Sequence, residues 1–452
     1  MNPRSIALAA IAAFAAVPVA SAGAAAPWGP PQTLSSHVTN VARSPSVLAT
    51  GAGDTIVPFS VGFDIPAGVG TSVFNLAIAR RPAGQPSFAP RVRTTTRFGV
   101  TRVLAYSQSR IIVVSQGAGA VWSLRVRFGS AGGAPGAVRH VSAGENVLRF
   151  SAAANARGDA VIAFVAQRPP TRVRSSRQVV MVVRRSAGRP FGRPQTIVGR
   201  GRALAVATAI DAAGDIVVAY QASGRVRTRS RPTGRGWHPV DDIGPSVSGV
   251  AQLRLAVGPR GRAVLAVFEQ LLTEGGDNGP ARVLAAVREP GRRFGFPQLI
   301  DSFPERFPGS EPGVAEVALD GRGALLAWTG RVGGGLGVRV ATLDGRRFGP
   351  PREVSPAGQQ LDGLAVGEGG RATVVWSPLS SDPPAPSAVI GAAVRAPGAA
   401  AFGPPELVSG IETRAEEAAV GYAPRSAAPT VAWVAATGAS TSGVRVATRA
   451  TP

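Results

Sequence analysis

The chain offers few residues that could do covalent chemistry. Its 452 residues include three histidines, His37, His140 and His238, three tyrosines, Tyr106, Tyr220 and Tyr422, and no cysteine. The absence of cysteine excludes thiol catalysis, a disulfide framework and a lipid-modified cysteine. The histidines are scattered, without the close spacing of metal ligands, and none sits in the context of a nucleophile elbow. Two short segments, Asn155-Ala-Arg-Gly-Asp159 and Asp211-Ala-Ala-Gly-Asp215, place oxygen donors as a Ca²⁺ loop does. Tight turns want Asn, Asp and Gly for conformational reasons, and that reading suffices. No metal or other cofactor is expected. Arg157-Gly158-Asp159 spells an adhesion tripeptide, which chance explains in a chain this rich in Arg and Gly.

Charged and aromatic residues that could bind rather than react are more numerous. Segment 165–178 is basic through Arg168, Arg172, Arg174 and Arg177. Segment 269–280 is acidic through Glu269, Glu274 and Asp277, and segment 300–313 adds Asp301, Glu305 and Glu311 with Phe303 and Phe307. If these segments share one rim, that rim is basic on one side and acidic and aromatic on the other. Solvated loops are the plainer alternative.

The elements that would position them are short strands. Apolar runs such as IIVVS (111–115) and DIVVAY (215–220) are β-branched and bounded by Gly or Pro, a strand pattern rather than a helix pattern. A phrase of aromatic, Gly and Pro followed by a short apolar strand recurs, as in WGPPQTL from Trp28 and FGPPELV from Phe402; its aromatic markers fall at Trp28, Phe88, Phe191, Trp237, Phe294, Phe348 and Phe402, with a degraded copy at Phe128. The spacing of about 50 residues suits a four-stranded propeller blade. Between markers lies a hairpin, two apolar strands around a Gly turn, and then a third strand. Eight hairpins have second strands near Ile56, Ile112, Ile162, Val217, Leu265, Leu325, Val374 and Val431. The first fourth-strand phrase, Trp28–Leu34, precedes every hairpin, and the last hairpin, ending in Gly443–Ala450, has none after it. Residues 27–452 are therefore expected to form one all-β domain. It is an eight-bladed β-propeller of antiparallel blades, closed by the N-terminal strand pairing in the last blade, with seven blades as the alternative. Aromatics end the second strands at Phe59, Phe164, Tyr220, Phe268, Trp328, Trp376 and Trp433. Recurrence at one blade position favours blade-to-blade packing over a sugar-stacking row.

The third-to-fourth turns AGRPF (187–191), TGRGW (233–237), PGRRF (290–294) and DGRRF (344–348) place Gly three residues before the aromatic. This resembles the Asp-box, or BNR, repeat of secreted sialidase-like propellers, including those of actinobacteria. Gly188/Phe191, Gly234/Trp237, Gly291/Phe294 and Gly345/Phe348 match it, while the box aspartate is replaced by Ser186, Pro232, Glu289 and Leu343. The resemblance implies the fold. It implies sialidase chemistry only if three arginines, a Tyr–Glu pair and an Asp meet, and Tyr220 already occupies the packing position.

The formal net charge is +23, and every one of the 49 basic residues is arginine. Codon bias accounts for the composition, yet the field it creates favours anionic partners. Residues 1–26 read as a signal peptide: Arg4, an apolar stretch over 6–20, and small residues at Ala20-Ser21-Ala22. The mature chain is expected outside the cell, as a monomer without a membrane span. The function expected is non-enzymatic binding of an anionic envelope polysaccharide, another glycan or a protein partner, and not of nucleic acid. A divergent sialidase-like exo-glycosidase and a purely structural surface protein are the alternatives. Acids paired in the channel would favour the enzyme.

Overall fold

The computed structural model describes residues 28–450 apart from 36–40, 44, 64–72, 94–100, 108, 118–121, 169–176, 199–202, 247–249, 273–277, 304–314, 320–322, 380–387, 411–414, 425 and 439–440. The proposed signal segment 1–26 lies outside the described residues. So do six of the ten rim candidates, namely Arg172, Arg174, Glu274, Asp277, Glu305 and Phe307. No described helix is long and apolar enough to cross a membrane.

The strands assemble into eight antiparallel sheets, each a blade. The innermost strands are Val41–Arg43 with Leu48–Ala49 in blade 1 and Thr101–Tyr106 in blade 2. Blades 3 to 8 follow with Asn146–Ala154, Ala203–Ile210, Val250–Val257, Ala315–Leu319, Gln359–Val366 and Ala415–Tyr422. Innermost strands of successive blades touch all the way round, including blade 8 with blade 1. The fold is an eight-bladed β-propeller. Two blades gain a fifth segment only because one strand position is broken in two, the innermost of blade 1 and the outermost of blade 6.

The ring closes as the sequence predicts. Gln32 pairs with Val446 and Thr33 with Arg445, and Trp28 bridges to Arg449. The Leu34 N–H donates to the Val444 carbonyl at 2.8 Å, and the Val444 N–H donates to Ser35 Oγ at 2.8 Å. Blade 8 therefore takes its outermost strand from the start of the chain.

Packing between blades uses the second-strand aromatics. Even Trp376, the most open of them, is only 3% exposed, and Phe164, Phe268, Trp328 and Trp433 have no accessible surface. They are core, and no aromatic platform exists along that row.

The repeated phrase also acquires a role. Its glutamine ties one blade's outermost strand to the next blade's marker aromatic. Gln32 in blade 8 accepts from the Phe88 N–H at 3.0 Å and donates to the Phe88 carbonyl at 3.2 Å. Gln298 in blade 5 does the same with Phe348, at 2.9 and 2.8 Å. Each such bond satisfies a strand edge that would otherwise lose its partners. The glycine three residues before the aromatic is required by conformation. Gly188 and Gly345 lie at φ 72° and 58°, where a side chain is strained although open space surrounds both positions.

The third-to-fourth corners are held by carboxylates from the first-to-second hairpin turns. Asp54 accepts from the Ala83 N–H at 3.1 Å, Asp159 from Ala187 at 2.9 Å, and Asp215 from Thr233 at 2.7 Å. The corners thus lack the box aspartate yet keep an acid bonded to the turn.

A candidate site at the channel mouth

Innermost strands line the propeller axis, and irregularities at their upper ends, away from the corners, decide what reaches it. The register slips between Leu361 and Gly363 in blade 7, which makes Asp362 an extra residue. It slips again between Glu416 and Ala419 in blade 8, which inserts Glu417 and Ala418. A bulge re-aims the side chains it inserts. Here two adjacent bulges insert two acids, beside a third at Glu416. Glu417 adopts φ 52°, a left-handed conformation unfavourable for a residue with a Cβ.

Asp362 is the buried member. It accepts hydrogen bonds from Ser377 and from the bulged Ala418 N–H. Part of the residue faces open space, but Oδ2 has no accessible surface and no hydrogen-bond partner. Burial raises its pKa to about 7, and the nearby Glu417 and Glu416 charges push in the same direction, against the two hydrogen bonds.

Basic groups stand elsewhere around the axis. Arg254 of blade 5 donates to Glu316 of blade 6 at 2.9 Å. Arg102 of blade 2 keeps open surface yet is ringed by protein. Its pKa is lowered, first by burial and then by Arg254, while Glu316 opposes the shift. In a ring of eight, blade 6 is diametrically opposite blade 2, so Arg102 is within electrostatic range of charges on the far side of the axis. Its strand partner is Val114, as Gln252 partners Phe268 and Leu361 partners Trp376. Arg102 and the acids therefore occupy nearly one level. Arg149 of blade 3 stands just above it, exposed, beside another bulge. Blades 6 to 8 present Glu316, Asp362, Glu416 and Glu417, and blades 2, 3 and 5 present Arg102, Arg149 and Arg254.

The rim candidates that are described do not converge on this cluster. Arg168 is cross-strand from Arg177, and its guanidinium is taken by Glu145 at 2.9 Å. Asp301 accepts from the Trp328 indole at 2.9 Å and from Arg339 at 2.6 Å, tying blade 5 to blade 6. Phe303 is 5% exposed and belongs to the same core cluster as Trp328 and Phe268. Glu269 is buried against Arg282. These residues are occupied within the protein, because the strands run further than the loop reading of the sequence assumes. Arg168 and Glu269 lie in strands Ala160–Arg168 and Ala263–Leu272.

No tyrosine joins the cluster. Tyr220 is buried and its pKa is raised by burial. Tyr106 and Tyr422 lie at the opposite ends of their strands, beside the hairpin turns. The Tyr422 hydroxyl meets Thr373 Oγ1 at 2.6 Å, and burial raises its pKa to about 12. The described residues hold no group of three His, Cys, Asp or Glu with metal-binding geometry.

The sequence reading missed Asp362, Glu416 and Glu417, and it missed Trp122. The first three sit inside strand patterns, and the sole signal was polar residues where an apolar strand should continue. Trp122 is 47% exposed at the upper rim between blades 2 and 3. Its N–H donates to Asn146 Oδ1 at 3.1 Å, and its carbonyl accepts from Val147. Asn146 is next in sequence to the Glu145 that holds Arg168.

No protein-family model matches the chain, and the search of curated proteins gives no match. Among solved structures it is similar to the polysaccharide lyase Uly1, at 10% identity over 74% of this chain and 86% of that one, with a TM-score of 0.47. It is similar to a protein of unknown function from Dyadobacter fermentans, at 11% identity over 92% and 97%, with a TM-score of 0.41. It is also similar to a mutant of the NanB sialidase from Streptococcus pneumoniae, at 9% identity over 75% and 65%, with a TM-score of 0.37. Similarity of this depth assigns no activity.

Proposed function

We propose that this propeller recognises a glycan at the upper mouth of its channel. The observation that carries the reading is the Asp362–Glu416–Glu417 cluster. It combines a buried carboxyl with an unbonded oxygen, two neighbouring acids and a left-handed glutamate. Each feature works against stability, and such features persist where a ligand gives them a use. The opposite wall supplies guanidinium donors. A sugar suits this mouth because each hydroxyl can donate to a carboxylate and accept from an arginine. Trp122 on the rim offers an open ring face for stacking. We further infer, from residues 1–26, that the protein meets its ligand outside the cell.

A second reading is favoured by Asp362 specifically. A carboxyl with a pKa of about 7 beside two further carboxyl groups is suited to general acid catalysis, and paired carboxylates cleave glycosidic bonds. Such chemistry would run through acids and not through a tyrosine. One experiment addresses both readings. The purified protein is titrated with a panel of neutral and acidic oligosaccharides, and reducing ends are counted over time. Recognition requires affinity for at least one member that falls in Glu417→Gln. Cleavage requires new reducing ends from the native protein and none from Asp362→Asn. Absence of affinity across the panel refutes the glycan reading.

A further inference from the structure

The corners between third and fourth strands lie on the face opposite the channel mouth, and two of them differ from the rest. Gly291-Arg292-Arg293-Phe294 in blade 5 and Gly345-Arg346-Arg347-Phe348 in blade 6 are neighbours, and each carries two consecutive arginines. The equivalent corners of blades 3 and 4 carry one basic residue between glycine and aromatic, and those of blades 1 and 7 carry none. Blade 5 has a second departure. The residue after the aromatic-Gly pair is Pro30, Arg193, Pro350 and Pro404 in other copies, but Phe296 here. Phe296 is 94% exposed. A ring so open contributes nothing to the core, and large exposed apolar groups beside polar rims mark contact sites.

These departures meet in one place. Phe296 and all four corner arginines line a single groove of about 660 Å³. Three acids are nearby: Asp344 is the cross-strand neighbour of Arg347, and the other two are engaged. Glu289 is held by Arg262 at 2.6 Å and Asp241 by Arg293 at 3.2 Å. Arg346 stands 3.8 Å from Glu289 and is 78% exposed. Arg292 and Arg347 are exposed and form no ion pair within 4 Å among the described residues, although Asp344 faces Arg347 across the turn. The groove therefore carries surplus positive charge around an open aromatic face.

We infer that this corner groove is a second binding site, for an anionic polysaccharide whose sugar ring stacks on Phe296 while its carboxylates or sulfates take the arginine forks. Guanidinium forks match planar or tetrahedral oxyanions two bonds at a time. A single aromatic flanked by paired arginines fits a ring bearing its charge on a substituent. The site is independent of the channel mouth and is a place to hold a polymer rather than transform it.

The test uses the full chain, with polygalacturonate, a sulfated galactan and an uncharged galactan as probes, at low and physiological salt. Both anionic polymers are expected to bind and the neutral one to bind far more weakly. Salt should weaken the binding, since exposed charges are screened beyond about 8 Å at physiological ionic strength. Phe296→Ala and the double variant Arg346→Ala/Arg347→Ala should each lose about tenfold in affinity, the equivalent of one strong contact. All three side chains are exposed, so both variants should melt with the native protein, and Arg292→Glu gives an independent charge reversal. Asp362→Asn should leave this binding unchanged, which separates it from the channel reading. The inference is overturned if neither anionic polymer binds at low salt, or if the groove variants bind like the native protein. Tighter binding to single-stranded DNA or polyglutamate than to either polysaccharide also overturns it.

Discussion

The Trp28 indole N–H donates to Glu406 Oε2 at 2.9 Å, between residues 378 positions apart. Arg449 grips the same carboxylate at both oxygens, at 2.9 and 2.8 Å. Blade 8's outermost strand is thereby tied to blade 7's. Trp328, Asp301 and Arg339 repeat this indole–acid–guanidinium arrangement between blades 6 and 5. An acid shared by two donors keeps both a buried indole and a guanidinium satisfied.

Trp28 is 5% exposed. Its replacement by alanine is expected to destabilise the protein by about 3–5 kcal/mol, as loss of a buried aromatic does. Removal of residues 28–35 should do more, because it bares the edge of strand Thr441–Thr448 and invites association. Urea denaturation and light scattering check both outcomes. An unchanged midpoint in the deletion would contradict ring closure.

Asp362 should make the protein less stable as pH rises. Its folded pKa is about 7 against an ordinary 3.8, so between roughly pH 4 and 7 the folded state keeps a proton that the unfolded state has released. Stability falls across that window by up to roughly 1.4 kcal/mol per pH unit and levels off above it. Asp362→Asn mimics the protonated form and should abolish this component. Melting temperatures at pH 5 and pH 8 should differ more for the native protein than for the variant. Equal differences would show that Asp362 is not buried as described.

The corner carboxylates should act with the opposite sign. Burial alone would raise Asp54 and Asp159. Their hydrogen bonds, from Ser109, Ala83 and Arg80 and from Asn155, Ala187 and Arg157 respectively, outweigh it and lower both. Their stability contribution is present above the ordinary carboxylate pKa and is lost as pH falls through the lowered value. Asp159→Asn should therefore destabilise at pH 7 and approach the native protein below about pH 3, as read by acid denaturation followed by circular dichroism.

Gly188→Ala should destabilise by about 1–2 kcal/mol, the strain of a Cβ in a left-handed corner. Space is open around it, so no clash contributes. Gly236→Ala, in an equally open position without a positive φ, is the control and should be close to neutral. Thermal melts of the two variants distinguish conformation from crowding.

Tyr422→Phe should destabilise by about 1 kcal/mol through loss of the 2.6 Å bond to Thr373. It should leave glycan affinity and any turnover unchanged. Loss of turnover in this variant would restore a tyrosine-based mechanism.

Much of the architecture was legible because it repeats. Each blade must bury its faces against neighbours, so the same apolar strands, turn glycines and packing aromatics recur at one spacing, and a ring is the arrangement that pairs Trp28–Leu34 with Gly443–Ala450. Even the glutamine of the phrase has a fixed partner, as Gln32 and Gln298 show. Repetition in the sequence reports what every blade needs, and every blade needs packing.

The sites escaped that reading because they are departures from the repeat. Asp362 and Glu417 come together on the innermost strands only because bulges displace them from strand register, and register is a property of paired strands. Arg102 feels the charge of Glu316 because closure places blade 2 opposite blade 6. Asp301 and Phe303 looked like rim residues until folding set them against Trp328. The sequence by itself favoured eight blades over seven and determined the order of their strands and the closing pair, since local pattern and apolar periodicity carry that information. The tertiary structure alone decided which charges share the channel mouth and which arginines gather around Phe296. Those neighbours come from different blades, and only the closed ring sets the distances between them.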